Sequence, residues 1–443
     1  MKLRALLLGA FSLSTLAASA QNWVYDSVAM GPGYANDIYY SLRNGIVKTQ
    51  ANTDWHLGFQ MTPPGPYGNV SAIANHVQGG VKVYSLHLQA STKFSTLTAA
   101  DTAGRTGTPL YNSDTSWNYG AFNQMGNPQN LLDYSWGVYD MNTHNVTGDS
   151  LYLIKVGTSG AAYKVWIQQY ISNPADSIRW TFRIAQFDGT GDTTINMRRN
   201  TNSFATRLFG YYNVLTRMQA DREPDRATWD MVATRYVDTA SQGSVAIPYN
   251  TTGWLSNSGV TVADVRGIPN GDTAHYQNYA RRTAINTIGY DWKTFDMSVP
   301  PGTWHTDSTI NYFIKPVSST NEYYQLQFTR FDGSITGKMV FRKRLFTAVS
   351  VQGVAAQAVT AWHVSPNPAS SAVNVMVDAK DAAADAKLLV MDAAGKVVSQ
   401  TAAPIQKGLN AYGFSAASLP NGLYFIRLGN GAWSVTQRIV VAH

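Results

Sequence analysis

The chain has 443 residues, no cysteine, 14% charged residues and 12% Phe, Trp and Tyr. Without thiols it can have no disulfide staples, no thiolate zinc site and no thiol nucleophile, so its fold must rest on hydrophobic cores of ordinary size. The net charge of +7 is spread along the chain, with a single run at Arg342-Lys343-Arg344. No nucleic-acid-binding motif accompanies that charge, so nucleic acid is not an expected partner.

The first twenty residues read as a signal peptide. Lys2 and Arg4 supply positive charge, residues 5–17 are a short apolar stretch, and Ala18-Ser19-Ala20 is a small-residue cleavage site. The apolar stretch is too short to be retained as a membrane span, and no later segment offers eighteen consecutive apolar residues. The expectation is a Sec-exported protein with no transmembrane segment, cleaved near Ala20. No cysteine follows that site, so no lipid anchor of the usual kind is expected.

From residue 21 to about 350 the low charge and the many aromatic and β-branched residues predict an all-β protein. Tyr163 to Tyr170 and Ile178 to Ile184 alternate large apolar and polar groups, as half-buried antiparallel strands do. Segments 62–80 and 100–130 are rich in Gly, Pro, Asn and Thr and predict long irregular loops, where function often sits.

The same region is internally duplicated. Tyr134-Ser135-Trp136-Gly137-Val138-Tyr139-Asp140-Met141 matches Tyr290-Asp291-Trp292-Lys293-Thr294-Phe295-Asp296-Met297. Downstream, residues 151–155 match 311–315, and 163–170 match 324–331. Upstream, Trp55-His56 matches Trp229-Asp230, and Tyr39-Tyr40 matches Tyr211-Tyr212. Two copies of one domain are therefore expected, at 21–196 and 197–350.

Residues 351–363 read as a linker. Ser365-Pro366-Asn367-Pro368 opens the tail, Asp392 to Gly395 is a turn between apolar runs, and Pro420-Asn421-Gly422-Leu423-Tyr424 is another turn leading into a strand. These pieces predict a small β-sandwich of short antiparallel strands over 364–443. In their order and wording they resemble the type A sorting domain carried by cargo of the Bacteroidetes type IX secretion system. The resemblance implies that Ser365, Pro366, Asn367, Pro368, Asn421, Gly422, Leu423 and Tyr424 form a sorting signal for that machinery. It also implies a secreted or cell-surface destination.

The repeats resemble the HmuY family, whose founding member is a haemophore. The resemblance rests on Trp229-Asp230 with its Trp55-His56 variant, on Asn257-Ser258-Gly259-Val260, on the Trp-x-x-aromatic-x-Met segments and on the strands ending in Ile154-Lys155 and Ile314-Lys315. It implies two tandem HmuY-like β-domains with a hydrophobic haem cleft. Met141 and Met297 occupy the positions matching a haem ligand and are the haem-binding candidates. A methionine beside aromatics is also a common core filler. His56 is read as a buried, hydrogen-bonded substitute for the acid of the second copy, and His144 as a loop residue.

No HExxH, GxSxG or phosphate-cradling loop occurs, and the carboxylates are few and isolated. Asp140 and Asp296 are read as structural, and Asp188-Gly189-Thr190-Gly191-Asp192 as a turn with too few oxygens for calcium. No metal site is expected. The sequence thus points to a non-catalytic binding protein that takes haem or another hydrophobic ligand. The alternative is a glycan-binding, adhesin-like protein whose exposed aromatics, among Trp117, Tyr119, Trp254 and Trp304, stack on sugar rings.

Overall fold

The computed structural model describes residues 22–62, 69–173, 177–200, 204–242, 245–268, 276, 278–298, 300–317, 322–347, 358–430 and 433–443. The expected signal peptide lies outside the described residues. The chain divides into two units, residues 1–347 and 348–443. Both are built from antiparallel strands, as the alternating patterns predict, with a few short helical turns. Among the described residues no helix is long and apolar enough to cross a membrane.

The larger unit contains two sheet pairs of the same design. One five-stranded sheet runs in the order Val24–Ala29, Lys338–Thr347, Glu322–Phe331, Asn311–Lys315, Thr261–Val265. The matching order elsewhere is Thr193–Arg198, Ser177–Gln186, Ala161–Asn173, Ser150–Val156, Lys82–Gln89. A four-stranded sheet orders Gly45–Ala51, Asn36–Ser41, Met231–Gln242, Val245–Ser256, and its counterpart orders Met218–Ala220, Phe209–Asn213, Leu57–Gln60, Ala72–Ala74. Even the irregularities recur. A bulge interrupts one central strand between Ile167 and Gln169, and its counterpart between Phe328 and Arg330, at matching positions of the repeat.

The two lobes do not follow the expected cut at 196/197, which falls inside the strand Thr193–Arg198. One hydrophobic core gathers residues from Leu57 to Val214. The other joins Val28, Met30, Ile38, Tyr40 and Leu42 to residues 231–341. The reason is pairing geometry. Ser177–Gln186 turns directly into Thr193–Arg198 and keeps that strand in the first lobe. The equivalent edge of the second lobe, along Lys338–Thr347, is filled instead by Val24–Ala29 from the chain's start. Likewise Tyr39 pairs with Val232, and Tyr211 with Gly58. The first lobe is thus continuous in sequence, whereas the second is closed by the N-terminal strands.

Each core is centred on a fully buried tryptophan, Trp136 or Trp292. Trp136 lies 5.0 Å from Trp180, and Trp292 stacks on Phe328 at 3.9 Å. Burying one such side chain contributes about 1.5–3 kcal/mol or more from its area alone.

In the smaller unit, Val359–Ser365, Ala372–Ala379 and Gly408–Ser415 form one sheet, and Val397–Ala402, Lys387–Asp392, Gly422–Gly429 and Ser434–Val441 form another. Val373, Val375 and Val377 face Leu388, Val390, Ile426 and Ile439 in one core, which makes a small sandwich. Residues 359–363, expected to be linker, are already strand paired with Ala372–Ala379. The apolar Val359 and Val364 are drawn into that core.

Candidate functional site

Met141 and Met297 are not core fillers. They are 68% and 75% exposed, just past the ends of the strands Val138–Tyr139 and Lys293–Asp296. The aspartate before each methionine makes the turn. Asp140 accepts from the backbone N–H groups of Asn142 and Thr143, and Asp296 from that of Ser298. These bonds hold both carboxyls below their usual pKa. Neither methionine lines the cavity or the clefts described below. Of the aromatic candidates, Trp254 is fully buried and Trp304 packs 4.9 Å from both Phe295 and Phe331. Trp117 donates its indole N–H to the Ser256 carbonyl, and only Tyr119 stands open to solvent.

The Tyr-Tyr and Trp elements matched between the two copies meet where the lobes join. Tyr39 sits edge-on to Trp229 at 5.1 Å, and Trp55 edge-on to Tyr211 at 4.9 Å, so the matched pairs cross-pack between copies. Strand exchange explains the Trp-Asp motif. Asp230 accepts the N–H of Leu42 at 2.7 Å, two residues past Tyr40, and His56 Nδ1 accepts that of Val214 at 3.2 Å, two residues past Tyr212. His56 is buried, and burial lowers its pKa, so it stays the neutral acceptor this bond needs. Asn75 and Asn257 occupy equivalent places beneath. Each donates its side-chain amide to the carbonyl of the matched tryptophan, Trp55 or Trp229.

A charged cluster that local sequence did not reveal lies beside these aromatics. Arg222, 2% exposed, bridges Asp37 at 2.7 Å and Asp54 at 2.9 Å and donates to the Tyr39 hydroxyl and the Ala51 carbonyl. Glu223 accepts from the backbone of Leu208 and Phe209 and from the Tyr211 hydroxyl. Burial raises the pKa of Asp37 and Glu223; Arg222 opposes it for both. The cluster ties lobe-one residues to strands that close lobe two.

These side chains help line a partly apolar cavity of about 90 Å³, together with His76, Asn112, Trp117 and Arg235. His76 donates through Nδ1 to the Val81 carbonyl and accepts the Asn112 N–H at Nε2; burial drops its pKa to about 4, so it is neutral. Two open polar clefts flank the cavity. One, of about 470 Å³, is lined by Tyr111, Asp114, Tyr119, Gln124 and Thr239 among others. The other, of about 560 Å³, is lined by Asp238, Asp264, Arg266, Arg282, Tyr290 and Asp291 among others.

Residues 109–120, part of the predicted loop, connect all three spaces. Asn112 fixes the segment by bonding the backbone of Ala74 and Ala121, and the Thr115 carbonyl accepts the N–H of Ile285 in the other lobe. Asp114 and Asp238 both accept the N–H of Thr239, at 3.1 and 2.8 Å, which places a pair of carboxylates where the clefts meet. Burial, and then Asp114, raise the pKa of Asp238. Among the described residues no cluster of three or more His, Asp or Glu is suited to a metal ion.

In the smaller unit the residues expected to form the sorting signal lie near the last strand. Asn367 accepts from the Val440 N–H and donates to the Arg438 carbonyl, standing in for a paired backbone residue. Asn421 accepts from the backbone N–H of His443, and the Tyr424 hydroxyl donates to the Pro420 carbonyl. Ser365, Pro366 and Pro368 flank Asn367 at one end, while Gly422 and Leu423 begin the strand after Asn421.

Comparison with known proteins bears chiefly on this unit. A search of curated proteins finds no match. Among solved structures, dimeric latent PorU from Porphyromonas gingivalis aligns over 88% of this chain at 11% identity, with a TM-score of 0.17. At that score the likeness carries no argument about fold, and the chain spans about a third (34%) of the PorU chain. Residues 363–442 match the secretion system C-terminal sorting domain family. No HmuY-type domain emerges from these comparisons. The chain therefore carries the C-terminal sorting domain typical of cargo of the Bacteroidetes type IX secretion system.

Proposed function

We propose that this protein, exported through its sorting domain to the cell surface or medium, is a non-catalytic glycan-binding protein. Its site is the pair of polar clefts joined along residues 109–120. The observation that carries the reading is their chemistry: tyrosines beside carboxylates, guanidinium groups and backbone amides, in open spaces of about 470 and 560 Å³. Hydroxyl-rich ligands need such a mixture of aromatic faces with donors and acceptors.

Haem binding at Met141 or Met297 has less support. Both methionines are solvent-exposed, and the more apolar space is about 90 Å³, smaller than the roughly 150 Å³ cavity that accepts benzene. The test is a glycan-array screen of the mature chain, followed by calorimetry on hits. Tyr119→Ala, Asp114→Asn and Asp238→Asn are each expected to weaken binding roughly tenfold, the loss of one hydrogen bond to a charged or stacked group. A saturable shift of the haem Soret band, abolished by Met141→Ala or Met297→Ala, would refute this reading and restore the haemophore one.

A further inference from the structure

The accounting of polar atoms around the junction cavity is unbalanced. Its carboxylate and imidazole acceptors are engaged: both Asp37 oxygens by Arg222 and Thr234, both Glu223 oxygens by Tyr211 and the backbone, His76 Nε2 by Asn112. Four lining side chains keep a buried polar atom with no partner: the indole N–H of Trp55, that of Trp229, Nε–H of Arg235, and the Tyr236 hydroxyl, of which the first three can only donate. Trp229 is only 3% exposed. Leaving such a donor unpaired carries a desolvation penalty, so native proteins rarely do so without a water or ligand to accept it.

Arg235 also lacks a counter-charge. Its guanidinium is half-buried, lies 5.6 Å over the Tyr34 ring and donates weakly to Gln78, and no carboxylate among the described residues is paired with it. Arg222, by contrast, has two. The cavity is therefore a donor-rich pocket beside a cation with no paired carboxylate among the described residues.

We propose that the junction cavity is a carboxylate-binding site, and that it takes the acid group of an acidic sugar whose remaining rings lie in the flanking clefts. Its volume of about 90 Å³, below the roughly 150 Å³ of a cavity that accepts benzene, suits a carboxylate on a short stem better than a whole sugar ring. The carboxylates of the clefts face the ligand's hydroxyls, and the acid group goes where donors remain. The sugar part of this assignment rests on the glycan reading above; the carboxylate part does not.

The test is a titration of the ¹⁵N-labelled mature chain with acetate, glucuronate and glucose, read at the indole N–H resonances. Trp55→Phe and Trp229→Phe assign the two signals. Acetate and glucuronate are expected to move both signals saturably, and glucose to move neither. Arg235→Gln should weaken carboxylate binding roughly tenfold, with Arg235→Lys restoring part of it and circular dichroism confirming that both variants fold. If neither carboxylate moves the signals, or glucose moves them equally, the carboxylate assignment is wrong. Acetate acting without glucuronate would keep the carboxylate site and remove the sugar, the outcome in which only the glycan reading fails.

Discussion

Arg222 links the two lobes across the exchanged strands. It follows the strand Met218–Ala220 of the first lobe, yet its partner Asp37 lies in Asn36–Ser41, a strand that closes the second. Both groups are under 5% exposed, and the Tyr39 hydroxyl and Ala51 carbonyl complete the guanidinium's bonds. Arg222→Met leaves Asp37 buried with Thr234 as its remaining side-chain partner. Breaking a buried pair in this way costs about 3–5 kcal/mol. At about 2.1 cal/mol/K of unfolding entropy per residue, a unit of this size shifts its melting temperature by roughly 1.5 °C per kcal/mol, so the expected fall is about 4–7 °C. The double change Arg222→Met with Asp37→Asn removes the orphaned charge and should recover part of the loss. Burial already raises the pKa of Asp37 and Arg222 is its main opponent, so the loss should shrink at low pH, where the orphaned carboxyl is protonated. Thermal melts of the mature chain followed by near-UV circular dichroism, at pH 7 and pH 5, would check this. A loss below about 1 kcal/mol, the range of an exposed ion pair, would refute the argument that the cluster holds the lobes together.

Four further outcomes are expected. His56→Asp should preserve stability within about 1 kcal/mol because Asp230 already performs the same task in the other lobe, whereas His56→Ala strands the Val214 N–H and should cost about 1–3 kcal/mol in a urea melt. Burial lowers the pKa of Lys293 to about 7 although its ammonium donates to Thr252 and Tyr290 and lies 4.5 Å from the Trp292 ring. Between pH 7 and 9.5 the unfolded chain holds that proton more than the folded one, so stability should rise with pH, and Lys293→Met should flatten the slope. Asn367→Ala and Asn421→Ala should release the last strand near His443 and lower the exported fraction in a culture-supernatant assay, with the larger unit's melting unchanged. Calorimetry with any bound glycan should give one site per chain, not the two that a duplicated sequence suggests.

Much of this was legible in the sequence, and the parts that were not share a cause. The alternating runs gave the strands, and the matched Trp and Tyr-Tyr segments fall at equivalent positions down to the bulge after Ile167 and Phe328. Which copy a strand completes is a matter of pairing at long range, and no local pattern records it. A linear reading therefore placed Val24–Ala29 and Asn36–Ser41 with the first copy. Met141 and Met297 looked like core because aromatics precede them; the overlooked signal was the Asp before each, a turn former that carries the methionine out to solvent. Arg222-Glu223 carries no local mark of its role, since nothing nearby in sequence announces Asp37 or Tyr211. The 100–130 loop was rightly marked as irregular, but its reach into the opposite lobe through Thr115 was not predictable from composition.

Exchange also bears on where a duplicated protein can specialise. In the cores the two copies do the same work with interchangeable residues, Trp136 for Trp292 and Tyr152 for Tyr312, and each is held to that work by burial. At the junction each copy supplies different groups to one shared space. His76 and Asn112 come from the first lobe, Arg235 and Asp238 from the second, and the 109–120 segment binds across both. A substitution there is not copied on the other side, so one half can change without unmaking the fold of the other. The aromatic pairs Tyr39–Trp229 and Trp55–Tyr211 still respect the repeat, because they carry packing. The ionisable groups around them do not, and that departure from symmetry coincides with the proposed binding site.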